Sequence, residues 1–239
     1  MGTKFSTRVW VSVVGIASIF WGSKGYADTV ISVADFGLKP DTRENAVAYV
    51  QKAIEACRGK EPVTLVFPEG RYDFWPQYAH EKNYYETNTY DVFPKRLAML
   101  FEGLHNITVD GNGSQFIMHD RIQPITVENC DGITLKNFSI DWDIPLTAQA
   151  RVTKVGSDFF EIEINVLESP YIIEDGKLVF VGEGWKSALG SMIEFESDTH
   201  FVVPGTGDLV LGRNWRDYTA VSPRYGIVRL SRKGGFERY

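Results

Sequence analysis

The chain has 239 residues, of which 23% are charged and 44% are hydrophobic, and its formal net charge is −6. This acidic balance argues against nucleic acid as a partner, because phosphate binding needs clustered lysine and arginine side chains. The sequence has no Cys-x-x-Cys motif, no His-Glu-x-x-His motif and no Cys/His cluster, so it suggests neither a structural metal nor a cofactor.

Residues 1–27 are predicted to be a secretory signal peptide. Lys4 and Arg8 form a basic start, and an apolar run follows from Val9 to Gly22. Small residues then precede a cleavage point between Ala27 and Asp28. The apolar run is short for a membrane span, which needs about 20 residues. We therefore expect a secreted or periplasmic protein whose mature form has no membrane span.

Residues 28–145 are predicted to begin with a strand, a capping helix and a second strand. The first strand is expected over Ile31–Gly37. Asp41 and Glu44 have the spacing of a capping box, and apolar residues at helical spacing follow as far as Cys57. Val63–Phe67 is rich in β-branched residues. The apolar face of the helix is expected to cover the open end of a stacked β structure.

The segment from Tyr72 to Pro94 is dense in aromatic residues, has no clean periodicity and is predicted to be a long loop. Aromatic faces stack on sugar rings, and amide and carboxylate groups bind hydroxyls. These residues are candidates for carbohydrate binding: Trp75, Tyr84, Tyr85, Glu86 and Asn88. The alternative is that the aromatic side chains anchor the loop to the strands below it.

Short strands separated by Asn- and Gly-containing turns are predicted from Leu97 onward, with a turn over Asp110–Gly113. His105–Gly111 recurs loosely as Asp131–Asn137, and three residues match in each segment: Ile107 with Ile133, Thr108 with Thr134 and Val109 with Leu135. This spacing is about one coil of a right-handed parallel β-helix. The predicted fold class is therefore all-β: the start of such a helix with an N-terminal capping helix, plus an antiparallel insert.

Asp141, Trp142 and Asp143 follow the last of these strands and are further candidates for sugar binding. The alternative is a tryptophan that packs at a junction, flanked by solvated acids. His80, His105 and His119 lack a nearby nucleophile pattern and are predicted to face solvent or to be satisfied within the core.

Residues 146–231 are predicted to form a small antiparallel, barrel-like β insert. Several short strands alternate with turns such as Asp175-Gly176, and one of these strands is expected over Phe201–Val203. The tail, 232–239, has no strand pattern and is expected to be a truncation point. The two cysteines, Cys57 and Cys130, are expected to be separate buried thiols.

The segments GRYDFWPQYAHEKNYYETNTYD, NITVDGNGSQFIMHD, ITLKNFSIDWDIPLTAQARV and ESPYIIEDGKLVFVGEGW occur in this order. This arrangement resembles the alpha-1,3-galactosidases of glycoside hydrolase family 110, within the pectate-lyase-like β-helix superfamily. The resemblance implies exo-acting, metal-independent, inverting hydrolysis of carbohydrates with terminal alpha-linked galactose. It covers nearly everything from Ile31 to Leu230.

The resemblance places the catalytic carboxylates on coils after the insert, downstream of Tyr239, so no residue here inherits that role. The chain is expected to be the N-terminal portion of such an enzyme, and by family it is expected to belong to a glycoside hydrolase, whereas the sequence does not decide whether this portion is active without the later coils. Two other functions stay open, namely a non-catalytic glycan-binding remnant and an enzyme of the pectate lyase or polygalacturonase type. The sequence assigns no oligomeric state.

Overall fold

The computed structural model describes residues 29–83, 94–204, 208–210 and 217–236. Within these ranges it contains one α-helix, one 3₁₀ helix and 17 strands, which confirms the prediction of an all-β protein. The predicted cleavage point between Ala27 and Asp28 lies outside the described residues. Four of the candidate loop residues also lie outside them: Tyr84, Tyr85, Glu86 and Asn88. No helix in the described ranges is long and apolar enough to cross a bilayer.

The first strand is shorter than predicted because a 3₁₀ helix follows it directly. Strand β1 spans Thr29–Ser32, and the 3₁₀ helix spans Val33–Phe36. The Ser32 hydroxyl accepts a hydrogen bond from a backbone N–H of the first turn, and Asp35 accepts one from the Ser32 N–H. This reciprocal capping box starts the helical turn. The prediction of a continuous strand over Ile31–Gly37 is therefore wrong.

Helix α1 spans Val47–Cys57 and begins later than predicted, without a side-chain cap from Asp41. The Asp41 carboxylate instead accepts a hydrogen bond from the Arg71 backbone N–H at 2.9 Å. The Asn45 side-chain oxygen accepts the N–H of Val47 at 3.1 Å. The predicted apolar face is confirmed, because all of its residues are buried: Ala46, Val50, Ala53, Ile54 and Cys57.

A parallel sheet brings together segments that are far apart in sequence. Strand β2 spans Val63–Val66, β3 spans Arg71–Phe74, β6 spans His105–Met118 and β8 spans Asp131–Trp142. Strands β1, β2, β6 and β8 pair in that order, and β3 pairs with the second half of β6. The ends of β3, β6 and β8 consequently lie side by side.

The two look-alike segments pair with each other in the register that their comparison predicts. The matched residues lie opposite each other: Ile107 and Ile133, Thr108 and Thr134, Val109 and Leu135. The turn predicted over Asp110–Gly113 is instead a register shift within β6, because the strand continues to pair with β8 after it. Closure of these strands into the coils of a β-helix stays a prediction.

A second sheet contains β4 (His80–Lys82), β5 (Lys95–Glu102) and β7 (Gln123–Glu128). Strands β5 and β7 are parallel, whereas β4 is antiparallel to β5. The loop predicted from Tyr72 onward thus contains most of β3 and all of β4. The prediction is wrong there because both segments find backbone hydrogen-bond partners on neighbouring strands.

The strands from Ala150 onward pair antiparallel, as the sequence predicts. Strands β9 (Ala150–Val155) and β10 (Phe159–Ile164) begin this part of the chain. The other strands are β11 (Tyr171–Glu174), β12 (Lys177–Gly182), β13 (Trp185–Ala188), β14 (Ser191–Ile193), β15 (Asp208–Val210), β16 (Thr219–Arg224) and β17 (Ile227–Ser231). They form sheets ordered β16-β17-β10-β9, β11-β12-β13 and β14-β15. The strand predicted over Phe201–Val203 is reduced to a single bridge at Val202.

Two hydrophobic cores lie within these sheets. The first contains a group of contacting aromatic rings: Phe67, Tyr72, Phe74 and Phe116. The second contains apolar residues of the antiparallel strands, including Phe160, Leu178, Val228 and Leu230. Neither cysteine forms a disulfide, since Cys57 is a buried free thiol and Cys130 is a half-buried one.

Candidate functional site

The candidate site is built around an ion pair on strand β3. Arg71 and Asp73 lie two residues apart, so their side chains project from the same face of the strand. The Arg71 guanidinium donates to Asp73 Oδ1 from Nη2 at 2.6 Å and from Nε at 3.0 Å. Asp73 is only 1% exposed. A carboxylate this deeply buried needs such a partner, because burying an unpaired charge is costly.

His119 follows the last residue of β6 and joins the ion pair to a distant part of the chain. Its Nε2 lies 2.8 Å from Asp73 Oδ1, and its Nδ1 lies 2.5 Å from Glu183 Oε2. The imidazole is 2% exposed. An imidazole with a proton on each nitrogen can donate to both carboxylates at once. His119 is thus held from two sides, by β3 and by the segment between β12 and β13.

The electrostatics of Asp73 reflect two opposing effects. Burial alone would raise the pKa of this carboxyl, because a low-dielectric environment disfavours the charged form. Hydrogen bonds from Arg71 and His119 outweigh burial and hold the pKa of Asp73 below its usual value. The hydrogen bond between Arg71 and Asp73 also raises the pKa of the Arg71 guanidinium. The pair is therefore a fixed charge arrangement at neutral pH.

Asp143, one of the predicted site residues, completes the cluster. Its Oδ1 accepts a hydrogen bond from Arg71 Nη2 at 2.8 Å and lies 3.8 Å from Arg43 Nη2. The other two residues of this stretch have different roles. The Trp142 indole N–H donates to the Asp120 carbonyl at 3.2 Å, and its ring packs against the first core. Asp141 is exposed and accepts a hydrogen bond from the Trp142 backbone N–H.

Trp75 lies directly on His119. The two rings are stacked, with 3.8 Å between their centroids and 11° between their planes. The loop that carries Trp75 is held by Asn45, whose amide donates to the Gln77 carbonyl at 2.8 Å. Gln51 of helix α1 donates to the Tyr78 carbonyl at 2.9 Å. The tryptophan therefore belongs to an ordered platform.

An open cleft of about 730 Å³ lies beside this platform. Ten residues line it: Arg43, Asn45, Trp75, Pro76, Gln77, Tyr78, Ala79, Glu81, Arg96 and Asp120. Tyr78 is 63% exposed and has a φ of +71°, a conformation that is strained for a bulky residue. Two arginines and two carboxylates line the cleft, so its formal charge is balanced.

His119, Asp143 and Glu183 bring one potential metal-ligand atom each to within 4.8 Å of the others. Two ligand atoms that share a metal, each about 2.1 Å from it, normally lie about 3 Å apart or more. The 2.5 Å between His119 and Glu183 is shorter, and Asp143 is already bonded to Arg71. The arrangement fits a hydrogen-bonded network better than a metal site.

The sequence predicted only part of this cluster. Trp75 and Asp143 come together in it, and Trp142 contacts its edge. Asp141 stays outside it, and the other loop candidates lie beyond the described residues. Three members were missed: Arg71, Asp73 and Glu183. His119 was predicted to face solvent or to be satisfied within the core, and it is buried with a partner at each ring nitrogen. The charged i, i+2 pair of Arg71 and Asp73 was the one local signal, and Asp73 lay within the segment predicted to be a loop.

Comparison with known proteins gives relatives that are named alpha-1,3-galactosidases. The model of a family described as "GLAA-B beta-barrel domain I" matches residues 148–239. An alpha-1,3-galactosidase B of Bacteroides thetaiotaomicron is 58% identical over 205 residues, which cover 86% of this chain and 33% of the relative. An alpha-1,3-galactosidase A of Shewanella woodyi is 36% identical over 70% of this chain and 28% of the relative. An alpha-1,3-galactosidase B of Phocaeicola vulgatus is 37% identical, with coverages of 84% and 32%.

Proposed function

Because the chain belongs to the same family as the alpha-1,3-galactosidases and spans about a third of their length, we propose that it is part of a glycoside hydrolase that binds galactose-containing glycans. Within this part of the protein, we assign glycan binding to the cleft beside Trp75. The catalytic activity itself is a proposal for the whole protein, because the similarity covers only 33% of the Bacteroides relative.

The observation that carries the proposal is the half-buried Trp75, which lines the cleft while its ring stacks on His119. The face of a fixed indole ring provides apolar surface for the C–H groups of a sugar. Amide and carboxylate groups around it, from Gln77 and Asp120, suit hydroxyl groups.

The balanced charge of the cleft favours a neutral sugar over a uronate. Arg43 and Arg96 are both near carboxylates, since Arg43 lies 3.8 Å from Asp143 and Arg96 lies 3.7 Å from Glu81. A uronate-binding groove needs arginine or lysine side chains that are available to the substrate carboxylates. This argues against a function of the pectate lyase or polygalacturonase type.

For the whole protein we propose exo-acting hydrolysis of terminal alpha-1,3-linked galactose with inversion of configuration. Inversion needs a general acid and a general base about 6.5–9.5 Å apart, with room for water between them. We place these carboxylates in the part of the relatives that extends beyond the matched third. The N-terminal basic and apolar residues support export to the periplasm or the outside of the cell.

We also propose that the two parallel sheets are faces of a right-handed parallel β-helix. The support is the in-register stacking of β6 on β8 in one sheet and of β5 on β7 in the other. Strands of one coil alternate between the sheets in chain order, as β5, β6, β7 and β8 do. In this arrangement the carboxyl ends of β3, β6 and β8 form one edge of the candidate site.

Calorimetric titration of the chain with alpha-1,3-linked galactobiose tests the proposal. Binding is expected, and Trp75→Ala should abolish it or weaken it about tenfold, since stacking of this kind contributes about 1 kcal/mol or more. Tyr225→Ala is the matched control, because Tyr225 is an 82% exposed aromatic residue outside the cleft lining. Absence of binding, or equal binding by the Trp75 variant, would overturn the assignment of the cleft. Preferential binding of oligogalacturonate would favour the uronate-specific alternative.

A further inference from the structure

The turn between β12 and β13 lies against the residues that follow β6. Glu183 in this turn contacts His119, and the next residue, Gly184, lies against Asp120. A Cβ atom at Gly184 would come within 2.5 Å of Asp120 Oδ2, so a larger residue here would require the Asp120 carboxylate to move. The Arg121 guanidinium lies 5.8 Å from the centre of the Trp185 ring. We refer to residues 182–185 as the docking turn.

The docking turn provides one of the two supports of the His119 ring. Asp73 holds the Nε2 side and is itself fixed by Arg71. Glu183 holds the Nδ1 side. Without Glu183 the imidazole keeps the Asp73 contact and the stacking on Trp75 but loses the partner of Nδ1, so its plane is fixed less firmly than between two opposed acceptors. The plane of the Trp75 indole follows, because the two rings are stacked within 11°.

We propose that Glu183 is a positioning residue for Trp75, through which the antiparallel part of the chain controls the affinity of the cleft for its glycan. The residue acts through His119 and does not line the cleft. The inference rests on the proposed glycan binding by the cleft. It assigns a role to the antiparallel strands, because Glu183 is their one contribution to the network of Arg71, Asp73 and His119 in the part of the chain that the structure describes.

Removal of the Glu183 carboxylate should leave the buried ion pair intact. Glu183 has a side-chain exposure of 39%, whereas Asp73 is fully enclosed and keeps its contacts with Arg71. The structural cost of a substitution at Glu183 is therefore expected to be small compared with its effect on the indole. A positioning role therefore predicts a large effect on the Trp75 indole with a small loss of stability, whereas a purely structural role predicts a large loss of stability.

The test compares Glu183→Ala and Glu183→Gln with the unaltered chain. Glutamine keeps an acceptor for the His119 Nδ1–H, so Glu183→Gln should retain most of the affinity, whereas Glu183→Ala should lose about tenfold. Glu174→Ala is the matched control, because Glu174 is an exposed carboxylate on β11 that pairs with Lys186 of the same sheet. It should bind galactobiose as the unaltered chain does.

A second measurement needs no ligand. The indole N–H signal of Trp75, identified in the nitrogen-correlated NMR spectrum through Trp75→Phe, should shift in Glu183→Ala and stay near its original position in Glu183→Gln and Glu174→Ala. An unshifted signal in folded Glu183→Ala would overturn the inference. If Glu183→Ala does not fold, Glu183→Asp provides the comparison, because its shorter side chain withdraws the carboxylate from Nδ1. If the unaltered chain binds no galactobiose, the proposed function fails, while the NMR result still decides whether Glu183 positions Trp75.

Discussion

Trp75 and His119 are stacked with their ring centroids 3.8 Å apart, so the exposed aromatic surface of the cleft rests on a buried imidazole. The imidazole is in turn enclosed by carboxylates from β3 and from the docking turn. A surface that is available to ligand is thus supported by a fully connected polar network. This relationship gives the cleft a defined shape in the absence of ligand, which reduces the entropy that binding must overcome.

The buried ion pair should be important for stability. Asp73→Asn removes the charge that Arg71 and His119 share, and it leaves the guanidinium without its main partner. Breaking a buried pair in this way typically costs about 3 kcal/mol or more. Urea denaturation followed by circular dichroism measures the loss. Asp131→Asn, at an exposed position of β8, is the control and should change the stability by less than about 0.5 kcal/mol. A similar loss in both variants would contradict the prediction.

Acidification should destabilise the fold through the same carboxyl. The pKa of Asp73 is lower in the fold than the usual value of 3.8, so the unfolded chain binds this proton more readily than the folded chain. Its contribution is fully present above the unfolded pKa and is lost as the pH falls through the folded pKa. The urea midpoint should therefore drop between about pH 5 and pH 2, and less steeply in Asp73→Asn. Equal slopes in the two proteins would show that other groups cause the effect.

Gly184→Ala should weaken the docking turn. The residue has a φ of +74°, and its new Cβ would lie 2.5 Å from Asp120 Oδ2. The conformation alone costs about 1 kcal/mol for alanine, and the steric conflict adds to it. Gly103→Ala is a matched control, because Gly103 has a φ of +62° with open space around its Cβ position. The free energy of unfolding should fall further in Gly184→Ala, and an equal fall would show that the contact with Asp120 is not tight.

Cys57 should react slowly with thiol reagents in the folded chain. Burial raises the pKa of its thiol to about 11, which keeps the nucleophilic thiolate scarce at neutral pH. The sulfur also donates to the Ala53 carbonyl within helix α1. Alkylation with iodoacetamide at pH 8, located by mass spectrometry, should modify Cys57 only after denaturant is added. Rapid modification of the native chain would indicate that helix α1 opens readily.

The stacking of β6 on β8 could be predicted because matched residues recur at a fixed spacing, and parallel pairing places such residues opposite each other. The start of helix α1 could not be predicted. Asp41 has the chemistry of a cap, but the Arg71 N–H, 30 positions away, takes its carboxylate. Local sequence patterns therefore predicted the strand pairing, in which contacts repeat along the chain. They did not predict the helix start, because a residue distant in sequence binds the group that would have formed the cap.

The charged network left little local signal for a related reason. His119 is 46 positions from Asp73 and 64 positions from Glu183, so its two partners are far from it in sequence. Each member taken alone has the pattern of an ordinary polar residue. Trp75 was identified because sugar-binding composition can be recognised in one segment, whereas the supports beneath it come from three separate segments.

The enclosure of His119 has a consequence for how this protein can vary among organisms. An imidazole with a carboxylate on each side tolerates few single replacements, since an apolar side chain at 119 would remove the group that contacts both Asp73 and Glu183 and leave the buried Asp73 with Arg71 as its remaining partner in this network. We therefore expect residues 73, 119 and 183 to vary together among related proteins. A relative that lacks the histidine should also have a different residue in place of the acid on the docking turn. Correlated substitution at these three positions, in sequences that differ elsewhere, would reflect the two contacts that hold the His119 ring.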